Sequence, residues 1–132
     1  MFGEIKKATT VAIGVLIFLH QSSVLARNQT SPKQWYSFTL SLGKSKGTVR
    51  IPQKKIDRFI RKVVMPKIDG FKLVETKGVW KGRPEASFDL VVLSDKFNIM
   101  LKKLRKISCS YKKKFSQESV LFYYVKATVS FL

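Results

Sequence analysis

The sequence predicts an α+β protein with the element order β-α-β-β-α-β. Two observations predict the elements. Two segments repeat apolar residues at the 3.6-residue period of a helix, and segments around them alternate at the period of two that a half-buried strand requires. A third, the turn-forming run Lys81-Gly82-Arg83-Pro84, separates the middle two strands and makes them antiparallel.

The first strand is Trp35 to Leu42 (WYSFTLSL). Tyr36, Phe38, Leu40 and Leu42 are apolar, and Ser37, Thr39 and Ser41 between them are polar. Gly43 to Gly47 (GKSKG) reads as a loop, and it lacks the pattern of a phosphate-binding glycine loop. Pro52 suits the first turn of a helix, where its missing N–H is not needed. Ile56, Phe59, Ile60, Val63 and Val64 then form one continuous stripe, which Pro66 ends, and Asp69-Gly70 turns the chain.

Phe71 to Trp80 reads as the second strand and Ala86 to Leu93 as the third. Ser94 is positioned to cap the second helix, with Asp95 favourable in its first turn. Phe97, Met100, Leu101, Leu104, Ile107 and Tyr111 line one side of that helix, and Phe115 closes the run. Ser119 to Leu132 is the last strand, with Leu121, Tyr123, Val125, Ala127, Val129 and Phe131 on alternate positions. Right-handed crossovers over one antiparallel sheet turn this order into a split-βαβ, ferredoxin-like sandwich with both helices on one sheet face. The other face is open. By strict alternation it shows Trp35, Ser37 and Thr39, then Ser87, Asp89 and Val91, then Val120, Phe122 and Tyr124. The last row is more apolar than a monomer usually leaves in water, which makes Phe122 and Tyr124 the candidate contacts of a homodimer.

The chain has 132 residues, enough for one domain. Its start reads differently from the rest. Lys6 and Lys7 precede the apolar run Val11 to Leu19, and Val24-Leu25-Ala26 places small or aliphatic residues where a signal peptidase would cut. Those are the three parts of a secretory signal. The run is about half the roughly 20 residues that a membrane span needs. The expectation is a signal peptide over residues 1–26 cleaved after Ala26, a flexible lead-in over 27–34, and a single domain over 35–132. Asn28-Gln29-Thr30 in the lead-in fits a glycosylation sequon. The protein is then periplasmic or secreted. The alternative is an inner-membrane protein held by an uncleaved N-terminus.

Lys and Arg number 26 against 8 Asp and Glu, for a formal net charge of +18. A field of that sign attracts anions. The first helix carries Lys54, Lys55, Arg58, Arg61 and Lys62 against Asp57 alone. The second carries Lys102, Lys103, Arg105, Lys106, Lys112, Lys113 and Lys114 with no acid between them. Side by side on one sheet face, their outer surfaces merge into a cationic layer. The expected partners are anionic envelope components or an acidic protein. Export argues against intracellular nucleic acid. Lysine excess also arises from codon bias, and any single lysine reads as part of a solvated helix surface.

Catalytic machinery is sparse. His20, the only histidine, lies in the predicted signal, so the mature chain has no imidazole for a triad, a general base or zinc. Cys109 is the only cysteine, which excludes an internal disulfide framework; its expected place is the core. No catalytic set, metal site or cofactor is expected. A small enzyme using a pocket on the open sheet face is the rival reading, with Glu85, Asp89 and Tyr111 as its proton-transfer candidates.

Several short segments appear together in a familiar order. Val63-Val64-Met65-Pro66 is followed by Asp69-Gly70-Phe71, and Gly78-Val79-Trp80 by Glu85-Ala86-Ser87. Tyr111 and Phe115-Ser116-Gln117-Glu118-Ser119-Val120-Leu121 then precede Val129-Ser130-Phe131. In these segments the chain resembles the bacterial domain-of-unknown-function family 3574, whose members are often exported and of similar length. The resemblance runs from about Phe38 to Phe131. It implies the same element order and no established activity. It marks Trp80, Glu85, Ser87, Tyr111, Gln117, Glu118 and Ser119 as ligand-binding candidates. Their structural reading is that Gln117 to Ser119 end a helix and start a strand. Two departures stand out: Phe88 and Asp89 follow Ser87 where the family often has a basic residue, and Phe122 stands where it often has arginine.

Overall fold

A computed structural model describes residues 32–132, and the compact unit within them begins at Gln34. The predicted signal, its cut after Ala26 and the Asn28 sequon lie outside the described residues.

Alternation in the first segment gives strand β1, Trp35–Gly43. The chain then forms a small hairpin, β2 (Ser45–Lys46) paired with β3 (Val49–Arg50), where a plain loop is expected from sequence. Pro52 stands just before helix α1, Gln53–Phe59, which continues as a wider π-turn over Ile60–Val64 closed by Met65 N–H donating to Ile60 O at 2.9 Å. Ile60 and Val64 join Ile56 and Phe59 in the core. Strand β4 is Lys72–Trp80 and β5 is Arg83–Ser94. Lys81 and Gly82, both at positive φ, make the two-residue link between them. Helix α2 is Phe97–Phe115 and strand β6 is Leu121–Ala127.

The sheet order is β4-β5-β1-β6 with every pairing antiparallel. Both central strands are thus the ones that precede a helix, the arrangement of the predicted ferredoxin-like sandwich. Phe38, Leu40 and Leu42 of β1 and Phe88, Leu90 and Val92 of β5 meet Phe59, Val64, Leu104, Ile107, Tyr111 and Phe115 from the helices in one core. Full burial contributes roughly 1.5–3 kcal/mol for each such aliphatic or phenylalanine side chain.

Four expectations are corrected. The last strand has the opposite phase: Tyr124 pairs with Phe38 and Phe122 with Leu40, so both project toward the helices. Phe122 stacks at 6.4 Å from Phe38, and Tyr124 meets Phe97 edge-on at 4.8 Å. They are core-face residues, and neither serves as a contact on the open face. That strand also ends at Ala127, after which Phe131 packs edge-on against Trp35 at 5.8 Å. Cys109 is exposed, because it lies between Ile107 and Tyr111 on the outer side of α2. Ser94 is the last residue of β5; its Oγ accepts from Lys96 N–H at 3.0 Å, one residue ahead of the helix, and the first helical turn holds no acid.

Candidate functional site

The end of β1 gathers most of the residues singled out from sequence. Tyr111, fully buried on α2, donates its hydroxyl proton to Gly43 O at 2.6 Å. It approaches Gly43 from the helix side of the sheet. Burial in hydrocarbon holds its phenol well above the ordinary tyrosine range. On the other side, two oxygens converge where a Gly43 side chain would stand. Gln117 Oε1 lies 2.7 Å and Glu85 Oε1 3.1 Å from the position of a Cβ. Gln117 is held there because its Nε2 donates to Ser45 O at 3.0 Å and to Phe115 O at 3.1 Å. Ser116 at positive φ turns the chain so that Gln117 N–H reaches back to Lys112 O at 3.0 Å. Gly43 is therefore enclosed by Tyr111, Gln117 and Glu85, and a side chain on it would displace one of them.

Around this point lies a polar border. Lys44, buried despite its charge, sends its Nζ to Glu75 Oε1 at 2.6 Å and to Oε2 as well. Thr76 and Ser87 join hydroxyls at 2.7 Å across β4 and β5, and Ser41 donates to Asp89. Among the described residues no buried side-chain polar atom lacks a hydrogen-bond partner. Lys44 and Glu75 carried no signal in the sequence, since neither belongs to a motif and only the pairing of β4 beside β5 brings them together.

The seven candidate positions separate accordingly. Tyr111, Gln117 and Glu85 converge on Gly43, and Ser87 is the β5 partner of Gly43 in the register. Trp80 stands at the tip of β4, exposed, while Glu118 and Ser119 face solvent. The proton-transfer trio does not assemble. Tyr111 is behind the sheet from Glu85 and Asp89, which lie four residues apart on one strand, about 13 Å at strand rise. Among the described residues no group of three His, Cys, Asp or Glu side chains could hold a metal ion.

Lys54, Lys55, Arg58, Arg61 and Lys62 on the first helix are all exposed, as are Lys102, Arg105, Lys106, Lys113 and Lys114 on the second. Lys103 and Lys112 are half-buried along their stems. Lys67, just past the π-turn, joins Arg105 and Lys106 with Cys109 and Ser110 around an open groove of about 600 Å³. Lys67 thus stands beside the basic side chains of the second helix. Among the described residues no helix is long and apolar enough to cross a membrane.

Fold and sequence together define a small α+β domain whose best-marked positions close the end of β1. The chain belongs to the family described as "Protein of unknown function (DUF3574)", whose model matches residues 36–131. No curated protein matches it. Among solved structures it is similar to a phage SAM lyase in complex with S-methyl-5'-thioadenosine. That likeness has a TM-score of 0.54 and 15% identity, over 76% of this chain and 95% of the other. It is similar also to a phage SAM lyase in the apo state, with a TM-score of 0.58 and 16% identity, over 74% and 85% of the two chains. At these identities the likeness is one of fold.

Proposed function

We propose that this protein is an exported, non-catalytic binding module whose helix layer docks on an anionic surface of the cell envelope. The observation that carries the reading is the set of exposed basic side chains on both helices, with the groove where Lys67, Arg105 and Lys106 meet. Among the described residues, no carboxylate pairs with any basic side chain of either helix. Unpaired lysines and arginines on one face add their fields and attract headgroup phosphates over a Debye length. Export is the sequence's contribution to the reading, through the signal-like residues 1–26. Tyr111 and Glu85 approach Gly43 from opposite sides of the sheet, and Asp89 lies four residues from Glu85 along β5, so the three proton-transfer candidates do not line one site.

Sedimentation with phosphatidylglycerol vesicles tests it. Binding is expected to fall steeply between about 0.1 M and about 1 M salt, as the Debye length shrinks from about 10 Å to about 3 Å. At about 1 kcal/mol per basic residue near an anionic surface, the triple change Arg58→Gln, Lys102→Gln, Lys106→Gln weakens binding by about 100-fold. Binding that ignores salt, or no binding in low salt, would end this reading.

A further inference from the structure

Among the described residues no element covers the second face of the sheet, and this face differs in charge from the helix layer. The register assigns to it the odd-numbered residues of β1, β5 and β6 and the even-numbered residues of β4. Within the four strands that face carries two basic side chains, Lys72 and Arg83, and two acidic ones, Glu85 and Asp89. In a chain of formal charge +18 it is a neutral face. It is also apolar at both edges. Val74 and Trp80 on β4, Leu93 on β5, and Leu121, Tyr123 and Val125 on β6 are each between 45% and 64% exposed. Between those edges two polar pairs are already made within the sheet, Thr76 with Ser87 and Ser41 with Asp89. Covering these two pairs leaves none of their hydroxyls without a partner.

We infer that this face is the interface of a homodimer formed by two sheets packed face to face. Electrostatics selects the second copy and the way it docks. Any contact between helix layers sets two strongly basic surfaces against each other. Sheet-to-sheet packing turns both helix layers outward. With about 10 Å between stacked sheets and a helix layer of about 10 Å beyond each, the basic surfaces stand about 30 Å apart. That is several Debye lengths at physiological salt, about 8 Å each, so their repulsion is screened. The face carries no net charge, because Lys72 and Arg83 are matched in number by Glu85 and Asp89, so two copies of it do not repel as two helix layers would. Its size is adequate. Four strands about 4.8 Å apart and nine residues long give a flat footprint of about 600 Å², before side-chain relief is added. A standard interface buries about 800 Å² per partner.

The inference stands apart from anion binding by the helices and is tested without any anion. Sedimentation-velocity measurements on the full chain over a range of concentrations are expected to show a dimer whose dissociation constant barely changes with salt. Tyr123→Lys, which places an ammonium inside the contact, is expected to raise that constant by more than about 100-fold. Val74→Lys, on the opposite edge strand, does the same and guards against a misfolding artefact in the first variant; far-ultraviolet circular dichroism unchanged in both completes the control. Lys102→Glu, on the helix layer, leaves the dimer intact. A monomer at every concentration, as when another part of the chain or a different protein covers the sheet, overturns the inference. So does a dimer that survives Tyr123→Lys and Val74→Lys, or one that Lys102→Glu dissolves.

Discussion

A phenol buried in hydrocarbon has to place its proton, and Tyr111 places it on Gly43 O. The bond ties the last turns of α2 to the end of β1, and Gln117 adds a second tie to Ser45 O. Four of the seven positions picked out by the family resemblance lie here, and their arrangement explains two of them as fasteners: Tyr111 on the helix side, Gln117 on the open side. Tyr111→Phe removes one hydrogen bond and leaves a carbonyl unsatisfied, so it is expected to cost about 1–2 kcal/mol in urea unfolding near neutral pH. The pH dependence has a definite sign. Burial raises the folded-state pKa of Tyr111 above its unfolded value of about 10. Its contribution is therefore complete below about pH 10 and declines as the pH rises further, because the unfolded chain then sheds a proton that the folded chain keeps. The stability difference between the natural protein and Tyr111→Phe is expected to shrink above pH 10. Lysine titration is common to both proteins and cancels in the comparison. Gly43→Ala tests the other side. Its Cβ would stand 2.7 Å from Gln117 Oε1, so the amide must leave its bonds to Ser45 O and Phe115 O, and a loss of about 1 kcal/mol is expected from thermal unfolding.

At the scale of elements, the β4–β5 link shows how a two-residue turn sets register. Trp80 pairs with Arg83, and the residues between them both take positive φ, which suits the right-handed twist of the strands. Gly82 adopts that backbone without strain, whereas Lys81 does so at a steric cost. Lys81→Asn keeps the turn and relieves part of that cost, so a stabilisation of about 0.5 kcal/mol is expected in denaturant unfolding, with the register unchanged.

On the scale of the whole molecule, charge and apolar surface are divided between two faces. The helix layer is basic and wet, while the open sheet face is neutral with apolar edges. The proposed anionic partner would take the first and the proposed second copy the second, so the two contacts would not compete for residues. A dimer of this kind presents a basic layer on each outer side, so it would bring two anionic surfaces together.

How much of this could be read from sequence depended on whether the pattern was one-sided. The helical stripes were, with polar residues elsewhere on each turn, so Ile56 to Val64 and Phe97 to Phe115 were placed correctly. The same arithmetic already put Cys109 about 200° from Ile107, off the core stripe, which its reading as a core residue overlooked. The last strand was two-sided. Leu121, Phe122, Tyr123, Tyr124 and Val125 are apolar at both parities, so alternation had no phase to report. Only pairing with β1 chose one. The sequence by itself determined the element order, the class of fold and the concentration of charge on the helices, because these follow from local periodicity and composition. The tertiary structure decided which way Phe122 and Tyr124 point, that Lys44 is buried against Glu75, and that Tyr111, Gln117 and Glu85 surround Gly43. These depend on strand register and on contacts between residues dozens of positions apart, for which a one-dimensional pattern has no variable.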